Sequence, residues 1–158
     1  MRWQKLYNPI VNWLLRSPLH VLLSNSIMLI TFAGRKSGKT YTTPVNYVWD
    51  DDHTLLVVSP CSRHWWRNLC GGAPVRVYVR GQTLKGVGRT FEAEKAVEEG
   101  GLLTMLQKVP AYRRYWRVEL DAKDHPKGPQ DLLRIARDKT LIRIGDLTPI
   151  GREDWWQR

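Results

Sequence analysis

Residues 27–59 read IMLITFAGRKSGKTYTTPVNYVWDDDHTLLVVS, which is three short apolar runs separated by two polar turns. The runs Ile27–Phe32, Tyr41–Trp49 and Thr54–Ser59 have the length and composition of β-strands. Pro44, inside the second run, favours an edge strand or a bulge, because proline cannot donate a ladder hydrogen bond. This stretch therefore predicts consecutive antiparallel strands rather than strands connected by helices.

The chain beyond residue 59 continues the same pattern. Strands are predicted at Val75–Arg80, Arg89–Phe91 and Thr140–Ile144, which brings the total to six. Helices are predicted at Glu92–Lys108, weakened by two internal glycines, and near Asp131–Arg137. Short strands with hairpin turns favour a mainly β (α+β) antiparallel barrel with peripheral helices over a βαβ fold.

The length of 158 residues is that of one domain with its own core. Residues 25–158 are predicted to form this domain, and residues 1–24 to form an N-terminal amphipathic helical segment. Its apolar stripe is predicted either to pack on the barrel or a partner chain, or to make weak membrane contact through residues 1–16. Two cysteines, no signal peptide and no membrane-length apolar run predict a cytoplasmic protein, peripheral at the inner face of the membrane in the second case.

The basic charge is concentrated in the first part of the chain. Residues 1–90 carry 12 basic and 3 acidic side chains, whereas residues 91–158 carry 13 and 12. Such a basic half favours an anionic partner: nucleic acid, an anionic membrane surface or a phosphorylated small molecule. The acidic turn Asp50–Asp52 interrupts the basic strip, so we expect no nucleic acid partner.

The turn Gly34–Thr40 reads GRKSGKT and ends like a phosphate-binding P-loop. The P-loop spacing requires a glycine at position 33, which is Ala33, and a helix after the turn, where a strand is predicted instead. The turn nevertheless combines two glycines, three cations and two hydroxyls, and its successive amides can form an anion-binding nest. The sequence therefore predicts phosphate binding here, with a solvated basic hairpin turn as the alternative.

Two further segments contain candidate site residues. Residues 61–70 carry adjacent tryptophans, which on a helix point about 100° apart, so that one can enter the core while the other lines a cavity. Cys61, His64 and Cys70 supply too few ligands for a common zinc site, and no metal is expected. Tyr112 and Tyr115 share a helical face, where they either serve a pocket or pack as ordinary amphipathic aromatics.

The chain has a strand, the turn Gly-Arg-Lys-Ser-Gly-Lys, a proline five residues after Lys39, a second strand, and then Ser-Pro-x-x-x-x-Trp-Trp-x-Asn-Leu. This order resembles the deazaflavin-dependent nitroreductase and quinone reductase family. The resemblance runs from Tyr7 to Ile144 and is most specific over Gly34–Tyr47 and Ser59–Ala73. It implies a six-stranded antiparallel split β-barrel of the FMN-binding, flavin-reductase-like kind. It also implies the deazaflavin coenzyme F420 as cofactor.

The resemblance also implies which residues bind this coenzyme. They are Arg35, Lys36, Ser37, Gly38, Lys39, Pro44, Tyr47, Ser59, His64, Trp65, Trp66 and Asn68. The turn would hold the phosphate and carboxylate tail, Ser59 would face the deazaflavin ring, and residues 64–68 would wall the ring pocket. Tyr112 and Tyr115 would lie over the acceptor as catalytic residues, with Tyr115 or a water delivering the proton.

The chain departs from the family pattern at Tyr41, where a basic residue is usual, and at residues 119–138, which look like an insertion. The implied function is hydride transfer from reduced F420 to a quinone, a nitroaromatic or another conjugated acceptor, in a homodimer. Two alternatives remain: an FMN- or haem-binding split barrel, whose turn would hold the FMN phosphate, and a basic nucleic-acid-binding barrel.

Overall fold

The computed structural model describes residues 26–150, which form a single antiparallel sheet with α-helices on one face and a short 3-10 helix on the other. The strands are β1 (Ile27–Ala33), β2 (Thr40–Asn46), β3 (Val48–Asp51), β4 (Thr54–Pro60), β5 (Ala73–Val79), β6 (Gln82–Phe91) and β7 (Lys139–Pro149). The helices are a 3-10 helix (Trp65–Leu69), α1 (Glu94–Glu98), α2 (Gly101–Lys108), α3 (Pro110–Trp116) and α4 (Asp131–Asp138).

The sheet curls because its two edge strands are consecutive in the chain. The strand order is β2-β1-β5-β6-β7-β4-β3, and Tyr47 alone separates the end of β2 from the start of β3. A flat seven-stranded sheet would hold its edges roughly 28 Å apart at about 4.7 Å per strand, so one residue joins them only if the sheet closes on itself. The predicted antiparallel split barrel is confirmed.

The predicted strand count of six is wrong, because the run Tyr41–Trp49 is two strands. Its first part pairs with β1, with Thr40 opposite Ala33, and its second part pairs with β4, with Val48 opposite Leu56. The apolar pattern continues without a break through the crossing, since Val45, Tyr47 and Val48 are all buried. Local sequence therefore carries no signal of the change of partner.

Strand β6 is longer than the predicted Arg89–Phe91, because two glycines hide its alternating pattern. A Cβ at Gly86 would lie 2.6 Å from the carbonyl oxygen of Gly145, and one at Gly88 would lie 3.1 Å from Leu69 Cδ1. Both positions thus need the smallest residue for close packing, although glycine is a weak strand former. The hairpin before β6 turns at Arg80 and Gly81, which both have positive φ, as a two-residue turn requires.

Two apolar clusters lie on opposite faces of the sheet. In β4, Leu55 and Val57 face the barrel interior, whereas Leu56 faces the helices. The interior cluster also contains Trp66 and Tyr47, and the helical cluster contains the buried faces of α2 and α4. The alternation of β4 therefore separates an interior side from a helix-covered side, which decides where the site residues lie.

The predicted helix Glu92–Lys108 is two helices in the structure. Gly100 has a φ of +76°, a left-handed conformation that ends α1 and allows α2 to start in a new direction. Leu102, Met105 and Leu106 of α2 are fully buried. The glycine pair that weakens the helical pattern is thus the actual break.

The predicted segment 1–24, with its membrane-contact region 1–16, lies outside the described residues. Between residues 26 and 150, no helix is both long enough and apolar enough to span a membrane.

The close approach of β6 to β7 yields a stability prediction. Gly86→Ala places a methyl group against the Gly145 carbonyl, which is backbone and cannot move aside, so we expect a loss of about 1–3 kcal/mol in the free energy of unfolding. Gly145→Ala is the control, because a Cβ there meets no atom within 4 Å. Its stability should stay within about 0.5 kcal/mol of wild type. Urea unfolding measures both, and equal stabilities would contradict the packing described here.

Candidate functional site

The turn Gly34–Lys39 is a tight loop that joins β1 and β2. The Gly34 amide donates to the Lys39 carbonyl at 2.8 Å, and the Gly38 amide donates to the Gly34 carbonyl at 2.8 Å. Gly38 has a φ of +64°. A Cβ at Gly34 would lie 2.8 Å from both Ser37 Oγ and the ring of Tyr41. Glycine at both positions is therefore a physical requirement of this turn.

Most amide groups of the turn already donate hydrogen bonds within the protein. Besides those of Gly34 and Gly38, the Lys39 amide donates to Ser37 Oγ at 3.3 Å, and the Arg35 amide donates to Asn68 Oδ1 at 3.0 Å. The amides of Lys36 and Ser37 hydrogen-bond to none of the described residues. The predicted nest of successive amides is thus reduced to these two.

The cationic side chains of the turn face solvent. Arg35, Lys36 and Lys39 are exposed, and within residues 26–150 no carboxylate forms an ion pair with any of them. Three unneutralised cations on one short turn create a positive potential that attracts anions. The anion-binding capacity of this turn therefore rests mainly on side chains.

A row of aromatic rings leads from the turn to the end of β4. Tyr41 and Phe32, opposite each other on β2 and β1, have ring centroids 6.0 Å apart, and Phe32 and Trp65 have centroids 5.7 Å apart. The indole Nε1 of Trp65 donates to Ser59 Oγ at 3.1 Å. Trp65 and the turn thus belong to one continuous surface.

Ser59 lies beneath this surface rather than on it. Its side chain is 2 % exposed, and its hydroxyl accepts from Trp65. Its cross-strand partner Thr140 is fully buried, with Oγ1 3.5 Å from Cys61 Sγ. In this arrangement Ser59 supports Trp65, whereas the resemblance implies contact with the coenzyme ring.

The two adjacent tryptophans separate as their spacing predicts. Trp65 is half-buried beside Phe32, whereas Trp66 is 3 % exposed and belongs to the interior cluster. The guanidinium carbon of Arg67 lies 5.4 Å from the centre of the Trp66 ring. His64 is exposed at the start of the 3-10 helix. The only helix within residues 61–70 is this 3-10 helix, Trp65–Leu69.

Pro44 and Tyr47 lie away from the turn. Pro44 is exposed and pairs with Leu29, and strand alternation turns it to the opposite face from its buried neighbour Val45. Tyr47 is 4 % exposed in the interior cluster, where its ring contacts Trp49 edge-on at 6.4 Å. Tyr47 occupies the crossing between β2 and β3.

The two predicted catalytic tyrosines lie on α3, on the helix-covered side of β4. Tyr112 stacks on Trp116 with centroids 4.7 Å apart, and burial raises the pKa of its phenol above the ordinary 10.0. Tyr115 is 72 % exposed. In the described part of the chain, no hydrogen bond or ring contact joins either tyrosine to the turn or to Trp65. The structure therefore separates them from the residues that it gathers around Asn68.

Phe32 was not among the predicted site residues, and Tyr41 was noted only as a departure from the family pattern. Their signal in the sequence is position: an aromatic residue lies two residues before Gly34, and another lies three residues after Gly38. A hairpin whose turn spans residues 34–39 places these two residues opposite each other. That pairing follows only once the exact register of the turn is known.

Residues 19–118 match the family model described as F420H(2)-dependent quinone reductase. This match covers more than half of the chain. The chain belongs to this family. As a member of the F420H(2)-dependent quinone reductases it is an F420-dependent oxidoreductase, as the sequence resemblance implies. The search of curated proteins found no match.

Solved structures of low sequence identity are similar to this quinone reductase family member. An F420-H2 dependent reductase, FDR-A, is 19 % identical with a TM-score of 0.45, covering 75 % of this chain and 93 % of its own. The FAD and heme binding protein from Mycobacterium smegmatis is 13 % identical with a TM-score of 0.47, covering 87 % and 76 %. Protein Atu2129 from Agrobacterium tumefaciens is 16 % identical with a TM-score of 0.49, covering 88 % and 60 %. The family assignment rests on the family model alone.

Tyr112 provides a pH-dependent test of its packing. Because its pKa is raised in the folded state, the unfolded chain releases this proton at lower pH, and the free energy of unfolding falls as pH rises above about 10. We expect Tyr112→Phe to lose less stability than wild type over that alkaline range. Urea unfolding at neutral and alkaline pH measures the effect. Tyr115→Phe, at the exposed position on α3, is the control, and a wild-type alkaline loss in Tyr112→Phe would contradict the prediction.

Proposed function

We propose that this chain transfers a hydride from reduced F420 to a quinone, with the anionic tail of F420 at the turn Gly34–Lys39 and its flat ring beside Trp65. One observation carries the proposal. The hydrogen bond from the Arg35 amide to Asn68 joins the turn to the helix that carries Trp65, and the three cations of the turn form no ion pair within residues 26–150. An anion-binding surface and a flat apolar surface are therefore contiguous, and F420 has both kinds of group.

The chemistry of these residues fits F420. Guanidinium and ammonium groups bind phosphate and carboxylate by charge-assisted hydrogen bonds. The amides of Lys36 and Ser37, which have no partner among the described residues, would add two donors. The row Tyr41, Phe32 and Trp65 offers aromatic contact to a flat ring. Gly38 is exposed and carries no side chain that would keep an anion away from the turn.

The bound coenzyme would supply the hydride, so the protein's contribution is binding and orientation. Arg35, Lys36 and Lys39 would hold the tail, and Trp65, itself fixed by Ser59, would limit the position of the ring and exclude water from one side. The hydride leaves with its electron pair, and a proton must reach the reduced quinone separately. The location of α3 on the other side of β4 favours water over Tyr115 as the source of that proton.

A quinone is the acceptor named in the description of the family model, and a nitroaromatic compound is the alternative acceptor. The protein is mixed with reduced F420 and either a quinone or a nitroaromatic compound. The absorbance of the coenzyme then gives its rate of oxidation with each acceptor class. We expect enzyme-dependent oxidation with quinones. No acceleration by any quinone would overturn the proposed acceptor class, and a rate with nitro compounds alone would replace it. The predicted homodimer is tested by sedimentation of the same preparation.

The FMN alternative uses the same turn. Separate fluorescence titrations of the protein with oxidised F420 and with FMN compare the two Kd values. Tighter binding of FMN would overturn the F420 assignment. For the nucleic-acid alternative, Asp50 at the start of the acidic turn pairs with Arg143 at 2.6 Å, which removes one basic side chain from any nucleic-acid surface. We retain neither alternative as a second function.

The sharpest test is removal of the cations of the turn. Arg35→Ala and Lys36→Ala should each weaken F420 binding by about 10- to 150-fold, since one charge-assisted contact contributes roughly 1.5–3 kcal/mol. The thermal midpoint should hardly change, because both side chains are exposed and unpaired within the described residues. Fluorescence titration with oxidised F420 gives the Kd.

Lys123→Ala is the matched control for these variants. Lys123 is exposed in the loop between α3 and α4, and its removal changes the net charge by the same amount. It should bind F420 like wild type at physiological salt. If Arg35→Ala and Lys36→Ala also bind like wild type, the tail site is elsewhere and the assignment of this turn is wrong.

A further inference from the structure

We propose that Asn68 is a positioning residue that fixes the anion-binding turn to the ring-binding wall, rather than a ligand of the coenzyme. The proposal rests on the function proposed above and assigns a different role to Asn68 from the one implied by the family resemblance. It concerns three elements that are distant in sequence: the turn between β1 and β2, the 3-10 helix and the end of β4.

The contacts of Asn68 connect these elements. Its Oδ1 accepts from the Arg35 amide at 3.0 Å, across 33 residues of sequence. Its Nδ2 donates to the Trp65 carbonyl at 2.9 Å. The indole Nε1 of Trp65 in turn donates to Ser59 Oγ at 3.1 Å. A chain of three hydrogen bonds thus runs from the buried β4 strand to the exposed turn, and Asn68 is the member that joins helix to turn.

Both polar ends of the Asn68 side chain are used within the protein. A carboxamide has one oxygen and one NH2 group, and here the oxygen binds a backbone amide while the nitrogen binds a backbone carbonyl. The side chain is half-buried between the turn and the 3-10 helix. Its geometry is that of a brace between two main-chain segments.

The brace acts on the orientation of the turn. Holding the Arg35 amide fixes the peptide plane that precedes Arg35, and with it the direction in which Arg35 and the following Lys36 leave the backbone. The amides of Lys36 and Ser37, which bond to no residue between 26 and 150, follow in the same loop. A turn already fixed in the free protein loses less conformational entropy when an anion binds, so the brace raises affinity without touching the anion.

The turn has other attachments that keep it folded without Asn68. The Gly34 and Gly38 amides remain bonded inside the turn, and Phe32 still contacts Trp65 at 5.7 Å. Asn68→Ala should therefore fold and lose only the attachment between turn and helix. This separation of folding from positioning makes the proposal measurable.

The experiment measures hydrogen exchange of the Arg35 amide in the free protein and the Kd for oxidised F420 by fluorescence. In wild type, the Arg35 amide should exchange slowly although it lies in an exposed turn. In Asn68→Ala it should exchange at least about fivefold faster, and the Kd should rise by about 5- to 30-fold, which corresponds to the loss of one or two hydrogen bonds. Because the proposed effect is on F420 binding, the kcat of Asn68→Ala at saturating F420 should equal that of wild type.

A double-mutant cycle separates positioning from direct contact. If Asn68 acts through the turn, Asn68→Ala should weaken F420 binding less in the Arg35→Ala background than in wild type. Additive losses in the cycle, or a higher Kd without faster exchange at Arg35, would show direct contact and overturn the proposal. Asn68→Gln keeps the amide but displaces it by one methylene, and its Kd should lie between those of wild type and Asn68→Ala.

Asn46→Ala is the matched control, because it removes the same side chain from an exposed position at the other end of β2. It should leave the exchange rate at Arg35 and the Kd unchanged.

If Asn68→Ala does not fold, the hydrogen-exchange rate of the Arg35 amide in wild type still tests the proposal. Exchange as fast as that of an amide with no hydrogen bond would overturn it. If Asn68→Ala leaves the Kd unchanged while Arg35→Ala raises it, positioning fails and the proposed function stands. If no variant changes the Kd, the site itself fails.

Discussion

The closure of the sheet at Tyr47 is the constraint on which the rest of the structure depends. Because β2 and β3 are the two edges of the sheet and only this residue separates them, the seven strands must curl into a barrel. Closure gives the sheet an interior, filled by the cluster around Trp66 and Leu69, and an outer side, partly covered by helices. Each strand residue then belongs to one side or the other according to its position in the alternation.

This division places the proposed binding surface beside the β1–β2 hairpin. The 3-10 helix follows β4 and carries its two tryptophans in different directions, with Trp66 in the interior and Trp65 toward the β1–β2 hairpin. The turn of that hairpin has glycine at positions 34 and 38, where a side chain would clash or the backbone has positive φ. The cationic side chains between and after these glycines face solvent. A flat apolar wall and an exposed group of cations meet there, and the hydrogen bond from the Arg35 amide to Asn68 Oδ1 connects them.

The same division explains why residues that look equivalent in the sequence differ in the structure. Ser59 was expected to face the deazaflavin ring and Tyr112 to lie over the acceptor. In the structure, Ser59 lies buried under Trp65, and Tyr112 stacks on Trp116 across the sheet. Both residues stabilise neighbouring tryptophans. The Ser59 hydroxyl accepts the hydrogen bond of the Trp65 indole, so it is already engaged within the protein.

The sequence by itself determined the predominance of short strands, their antiparallel arrangement and the basic turn, because alternation and glycine requirements are local properties of the chain. It also carried the family, through the turn motif joined to Trp65–Leu69 at a definite distance. Only the tertiary structure decided that Tyr41–Trp49 is two strands, that β6 extends through Gly86 and Gly88, and that Asn68 reaches Arg35. These features depend on which strands become neighbours, and hydrogen bonds across 33 residues have no local signature in the sequence.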